Sequence, residues 1–462
     1  MMRRVSFLTT LAFSMLVLLS CEKEESVSIY SKNIVVSNEP TVTSFTANLT
    51  ATFNGIDKVE MALGKKGVLY CVKSDNAESA FKSWKEGSDD PGCTIFDKVE
   101  MSGETVKCSL SGLTDDTEYC YCIFFQKRDG TREISKVFQF RTLLFNPEIK
   151  DLKVDDIHCF IAFAQGEIMI DIKDAAYCET GVVVSNRKNT TIENSTIFKS
   201  TQYKLLEIKN DGTYDLAFVL RLNDLEPNKD YNCRTYVKYP ISSNQSGYLY
   251  GPEKEFKTKD FQEIAVNLGL SSGNLWAMTN IGAESPEQYG NYFAWAEINP
   301  KTNFTWNGYK WRSENNKYNT DTTSVYLSSK TIIDLEDDAA NYNWGGAWRI
   351  PTREDYEELC SECDLYETTV NGVKGVGITG VNGNSIFIPY GGVIAEGSES
   401  LLKGSYFYTF TSTMWYGNAN GMNYFMYPFG DDPLYLGPGH EWTHRFNRSS
   451  GLTIRPVYSV DN

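Results

Sequence analysis

The sequence predicts a multidomain, mainly β chain: two β-sandwiches in tandem, followed by an α+β domain. Three observations predict it. The chain has 462 residues, too many for one ordinary core and suited to roughly three domains. The segment at 113–119 has a counterpart at 225–231, an offset of 112. Tryptophan is concentrated downstream, with eight of nine beyond residue 262.

Composition supports a folded chain, with 41% apolar and 13% aromatic residues. The formal charge is −16, and no stretch concentrates the Lys and Arg that phosphate neutralisation requires. Nucleic acid is therefore not an expected partner.

Each element follows in order. Arg3 and Arg4 precede "VSFLTTLAFSMLVLL", an apolar run short for a membrane span and suited to a signal peptide over residues 1–20. Its end, Leu18-Leu19-Ser20-Cys21, resembles the bacterial lipobox, which implies cleavage before Cys21 and lipidation of that residue. The acidic linker at 21–27 starts Cys21-Glu22-Lys23-Glu24-Glu25 and is similar to the surface-export signals of Bacteroidetes lipoproteins. The expected location is the outer membrane, lipid-anchored and surface-exposed. Ten cysteines follow Cys21 without the spacing of a dense disulfide framework. Cys120 and Cys122 are expected on one face of a strand.

The repeat places "LTDDTEY" (113–119) on "LEPNKDY" (225–231) and "VLYCV" (68–72) on "TGVVV" (180–184). Each unit closes in alternating strand chemistry, "VFQFRT" (137–142) and "KEFKT" (254–258), which reads as antiparallel strands with one buried face. The Leu-x-x-x-x-x-Tyr piece resembles the tyrosine corner of fibronectin type III sandwiches. That resemblance makes Tyr119 and Tyr231 corner tyrosines, with Leu113 and Leu225 as core anchors. The sandwiches are assigned to 28–146 and 147–258.

Beyond 258 the pattern changes. "NLGLSSGNLWAMTNIGAESPEQYGNYFAWAE", "DDAANYNWGGAWRIPTREDYEEL", "VNGNSIFIPYGG" and "GLTIRPV" form an ordered series. The series resembles the Fibrobacter succinogenes major paralogous domain, found in Bacteroidetes surface lipoproteins. That resemblance implies, for 259–462, a C-type-lectin-like and formylglycine-generating-enzyme-like fold with small twisted sheets, few helices and much loop. Within it, Thr352 and Asp355 form a capping-box start. Tyr356, Leu359, Cys360 and Cys363 then fall on one helix face, so the two cysteines read as core thiols.

Catalytic chemistry has few candidates. His158 sits beside Cys159 in an expected strand and reads as structural. Glu336-Asp337-Asp338 reads as solvated surface. No phosphate loop occurs, and no cysteine follows Cys363 to support formylglycine-type chemistry. The segment "GHEWTH" holds an H-E-x-x-H pattern, in which His440 and His444 would grip zinc while Glu441 activates water. Its glycine flanks, strand-prone Trp442 and Thr443, and lack of a downstream third ligand favour a loop instead. No cofactor or calcium site is expected. Aromatic stacking is the better candidate chemistry, richest in "FTWNGYKW" (304–311), where Trp306, Tyr309 and Trp311 are the candidate ligand contacts. The expected role is non-catalytic recognition of a glycan or a surface protein. The alternatives are a zinc metallopeptidase and a purely structural subunit of a surface assembly.

Overall fold

The computed structural model describes residues 30–84, 92–242, 245–312, 318, 332–395, 402–413, 423–429, 432–438 and 448–460. The lipobox residue Cys21 and the zinc-type residues His440, Glu441 and His444 lie outside the described residues. Among the described residues, no helix is long and apolar enough to cross a membrane. The chain divides into two compact units, residues 1–145 with 240–246, and residues 146–239 with 247–462.

The described residues of 30–145 form ten strands and two short helices. In chain order they are β1 (Ile34–Val36), β2 (Thr41–Val42), β3 (Thr46–Phe53), α1 (Lys58–Leu63), β4 (Lys65–Val72) and α2 (Ala77–Ser83). There follow β5 (Thr94–Phe96), β6 (Glu100–Ser102), β7 (Thr105–Ser111), β8 (Glu118–Gln126), β9 (Arg132–Ile134) and β10 (Phe138–Arg141). One sheet runs β1-β3-β7-β6 and the other β10-β8-β4-β5. Alternation explains the core: Ala47, Leu49, Ala51 and Phe53 of β3 meet Val68 of β4 and Tyr121, Ile123 and Phe125 of β8. Cys120 and Cys122 point to the other face of β8, where Trp84 and Phe81 bury them.

The second sandwich repeats this plan. Its elements are β11 (Glu148–Asp155), β12 (Ala162–Asp171), α3 (Ile172–Ala175), β13 (Glu179–Ser185), β14 (Thr196–Lys199) and β15 (Lys204–Ile208). They continue with β16 (Thr213–Leu222), β17 (Asp230–Ser242), β18 (Gln245–Tyr250) and β19 (Lys254–Lys257). The sheets run β11-β12-β16-β15 and β14-β13-β17-β18, with β19 also on β17. The expected equivalences hold, since β4 and β13 take the same place in their sheets, as do β10 and β19.

The repeat extends to individual hydrogen bonds. The Tyr119 hydroxyl accepts from Thr114 N at 2.9 Å, and the Tyr231 hydroxyl accepts from Glu226 N at 2.9 Å. Those rings stack on Phe140 at 5.4 Å and Phe256 at 5.5 Å. Thr142 Oγ1 accepts from Thr117 N and donates to Thr114 O, just as Thr258 Oγ1 accepts from Lys229 N and donates to Glu226 O. Both sandwiches are therefore fibronectin-like, closed by the same Phe-x-Thr-x-x-Phe end at 140–145 and 256–261.

The C-terminal region has short sheets and long connections. Its strands begin with β20 (Ala265–Asn267), β21 (Leu275–Ala277) and β22 (Tyr292–Phe293). Helix α4 (Ala339–Trp344), β23 (Trp348–Arg349) and α5 (Arg353–Glu362) come next. The remaining strands are β24 (Asp364–Val370), β25 (Val373–Thr379), β26 (Ser385–Pro389), β27 (Phe407–Phe410), β28 (Asn423–Phe429), β29 (Asp432–Pro438), β30 (Leu452–Thr453) and β31 (Val457–Tyr458). The late strand β31 lies between β21 and β23, so the chain returns to close its own first sheet. The capping box at Thr352 and Asp355 starts α5 as expected, and Tyr356 and Leu359 are buried. Cys360 and Cys363 are free and half-buried. All ten cysteines among the described residues are free.

Arg455 of "GLTIRPV" is fully buried and faces no carboxylate. It donates to Asn280 Oδ1 (2.8 Å), Ala277 O (3.0 Å), Met278 O (2.7 Å) and Phe387 O (2.9 Å), joining three remote segments. Desolvation alone pulls its pKa down to about 9.

The second sandwich and the C-terminal region share a core edge. Phe160 lies 5.7 Å from Phe261 and 5.8 Å from Tyr458. Gly345 has a φ of +72°, and a Cβ there would sit 2.4 Å from Ile161 Cγ2. Only glycine combines that backbone with that approach. Arg221 of β16 donates to Tyr342 O at 2.8 Å and Asn341 O at 3.0 Å, satisfying the open end of α4. His158 is in the loop between β11 and β12, not in the expected strand, because its N–H turns back to Ile161 O. Its ring stacks on Trp344 at 5.3 Å, which fits the expected structural role.

Candidate ligand-binding surface of the C-terminal region

The aromatic segment 304–311 is shaped by a short 3₁₀ turn over Trp306–Gly308, with Thr305 Oγ1 accepting from Gly308 N at 3.1 Å. That turn gives the three candidate aromatics different fates. Trp306 is half-buried and leans on Tyr309 at 5.6 Å between ring centroids. Tyr309 is only 2% exposed, and its hydroxyl donates to Trp295 O at 3.0 Å. Burial pushes its pKa far upward, so the phenol stays neutral. Tyr309 is thus corrected from ligand contact to core, because its polar tip already has a backbone partner.

Trp311 is intermediate. Its indole N–H donates to Ala296 O at 2.8 Å and its ring meets Tyr318 edge-on at 5.0 Å. Lys310 lies 4.2 Å over the Trp311 ring and pairs with Asp337 Oδ1 at 2.9 Å. Lys310 therefore covers the Trp311 indole while its charge is held by Asp337.

Of the acidic run that reads as solvated surface, Glu336 is exposed but Asp337 and Asp338 are interior. Asp337 is 2% exposed and accepts from Tyr318 Oη at 2.7 Å as well as from Lys310. Asp338, 3% exposed, caps α4 through Ala340 N and Asn341 N and also accepts from Ile350 N at 2.8 Å. Burial pushes the Asp338 carboxyl up to about 6 despite those donors. An N-cap signal was present, since Asp338 directly precedes the helical "AANYNW". Asp334, Glu336 and Asp337 bring one oxygen each within 4.8 Å of one another, but the inner pair of oxygens on Asp337 is engaged by Lys310 and Tyr318.

Four of the six described tryptophans of this region are core. Trp276, Trp295, Trp344 and Trp348 are at most 2% exposed. Arg448, absent from the sequence expectations, lies 4.5 Å over Trp295 and donates to Tyr318 O at 2.7 Å. It thereby backs the same wall as Tyr309 and Trp311.

No protein-family model matches the chain, and no curated protein matches it. Among solved structures, the FN1-FN3 domains of chicken CNTN1 align over 49% of this chain and 68% of that one, at 10% identity and a TM-score of 0.22. A two-domain fibronectin type III segment of chicken tenascin aligns over 49% and 98%, at 15% identity and 0.18. A purple acid phosphatase, PPD1, from yellow lupin (Lupinus luteus) seeds aligns over 50% and 42%, at 9% identity and 0.19. These scores carry no argument about fold or function. The fibronectin-like assignment rests on the two tyrosine corners and the shared strand order.

Proposed function

We propose that this chain is a lipid-anchored, surface-exposed outer-membrane protein that recognises a glycan or a protein partner through its C-terminal region. The series of motifs beyond 258 supports reading that region as a C-type-lectin-like domain of the Fibrobacter succinogenes major paralogous type. Cys21 supplies the anchor, and the two sandwiches carry the recognition domain away from the membrane.

One observation carries the reading. Trp306 keeps part of its surface open while it leans on Tyr309, which is buried against a wall that Trp311 and Arg448 also fix. A stiff aromatic on a fixed base loses little freedom on binding, which favours stacking on a sugar face or filling a partner's pocket.

The test is a glycan and surface-protein binding screen with the full chain, repeated with variants. Trp306→Ala should abolish the strongest interaction at a smaller loss of Tm than Tyr309→Ala, which should cost about 3 kcal/mol of stability as a buried aromatic. Binding that survives Trp306→Ala removes this surface. Acyl labelling of the same chain in cells should vanish in Cys21→Ala, and its persistence would refute the anchor.

A further inference from the structure

A second recess lies where the second sandwich meets the C-terminal region, within one compact unit. It encloses about 340 Å³, within the range of small-ligand sites. One wall is the outward face of β12 and β16, where Gln165 and Val219 are cross-strand partners beside Phe163. The facing wall is Tyr342 and Asn343 of α4 with the loops carrying Asn291 and Asn299. The floor is the end of β11 at Asp155 and the β11–β12 connection, with Asp156 and His158.

The geometry points to this recess as a binding site for a neutral saccharide, distinct from the aromatic segment at 304–311. The inference rests on the recognition reading but places a ligand elsewhere. Three properties select the ligand. The first is a set of planar amides, Gln165, Asn291 and Asn299, all exposed and making no side-chain hydrogen bond among the described residues. Such groups offer a donor and an acceptor side by side, the pairing that neighbouring hydroxyls need. The second is the aromatic flank: Phe163 and Tyr342 lie 5.7 Å apart and give apolar surface for the C–H face of a ring.

The third is charge. No Lys or Arg lines the recess, and Arg221, 5.5 Å over the Tyr342 ring, is engaged by the carbonyls of Tyr342 and Asn341, so a phosphate, sulfate or uronate would find no free counter-ion. Asp155 is already paired with Lys153 at 2.7 Å, which leaves one unpaired acid, Asp156, to attract a cation. His158 stays neutral, because burial holds its pKa down to about 3. Its imidazole therefore contributes hydrogen bonding without charge. An extended peptide is disfavoured too. Strand addition needs a free edge, and β12 and β16 are each paired on both sides.

The experiment is calorimetric titration of the full chain with maltotriose, cellotriose, mannotriose and chitotriose, alongside spermine, a lysine-rich peptide and a sialylated trisaccharide. At least one neutral trisaccharide should bind. Gln165→Ala combined with Asn299→Ala should weaken it roughly tenfold, as expected when hydrogen bonds to an exposed ligand are lost. Val219→Trp, on an exposed position, should block the recess with the fold intact. Trp306→Ala should leave this binding unchanged.

Binding by none of the four neutral sugars overturns the inference. Sugar binding that ignores the recess variants but is lost in Trp306→Ala also overturns it, while leaving the recognition reading in place. Spermine or the basic peptide binding instead, and released by Asp156→Asn, overturns the ligand class.

Discussion

The two sandwiches share their strand order, tyrosine corner and threonine bridge, yet they use one turn differently. In the first, Phe45 accepts from Leu113 N through its carbonyl, is fully buried, and meets Phe145 at 4.8 Å. In the second, Phe160 accepts from Leu225 N and meets Phe261 at 5.7 Å. Phe160 is only half-buried in the whole chain, and it packs against the core cluster around Trp344 and Trp348. One frame serves a closed module, and the same frame serves a shared core. The difference shows that domain independence is set by what covers a conserved-geometry turn, not by the sandwich plan.

Replacing the two phenylalanines is the strongest way to break the comparison. Phe45→Ala should cost about 3–5 kcal/mol, the range for a fully buried aromatic, and lower only the melting of the first unit. Phe160→Ala should cost about 2–3 kcal/mol because less of the ring is buried, yet shift the second sandwich and the C-terminal region together. Differential scanning calorimetry with tryptophan fluorescence checks this, since eight of nine tryptophans report on the C-terminal region. Separate transitions for residues 147–258 and 259–462 in the wild-type chain would show that the core is not shared.

The tyrosine corners should instead behave alike. Tyr119→Phe and Tyr231→Phe each leave one backbone N–H without its acceptor, at a cost of about 1 kcal/mol. Chemical denaturation of each variant measures it. Costs differing by more than a factor of three would mean that the shared geometry hides different energetics.

The smallest effect is a pH difference. The unfolded imidazole of His158 titrates near pH 6.5, whereas burial, assisted by Lys259, takes the folded value down to about 3. Between those values the unfolded chain binds more protons, so this contribution is complete above pH 6.5 and declines as pH falls. Asp338 opposes it: its folded pKa is raised from 3.8 to about 6, so the folded state binds more protons in that window. Comparing wild type with His158→Gln isolates the histidine. The stability gap should narrow between about pH 6.5 and pH 5, where most carboxylates remain ionised. The first sandwich has no histidine and should show no such trend.

Much of the sandwich architecture is legible in the sequence. Leu113, Tyr119, Leu225 and Tyr231 stand at fixed spacing, and period-two alternation marks the closing strands. Thr142 and Thr258 were not readable as bridges, because a threonine in a strand has an ordinary explanation in β propensity. His158 read as strand because "IHCFIAF" runs on without a turn residue, and only the bond to Ile161 O reveals the bend. Tyr309 read as accessible because a 3₁₀ turn of three residues has no detectable periodicity. The recess beside His158 depends on residues separated by more than a hundred positions, and no local pattern marks such a meeting.

The placement of β31 and Arg455 also sets an order in time. The first sandwich has its corner and threonine bridge as soon as Thr142 has been synthesised. The C-terminal region begins its first sheet at Ala265, yet that sheet lacks its middle strand until Val457 and Tyr458 arrive. Until Arg455 emerges, the carbonyls of Ala277, Met278 and Phe387 also lack the donor that gathers them. Nearly two hundred residues must therefore wait, collapsed but unclosed, for the last strand. A growing chain completes its first sandwich early and closes its C-terminal region last, so a ribosome stalled before residue 455 would display a finished first sandwich followed by an unclosed remainder.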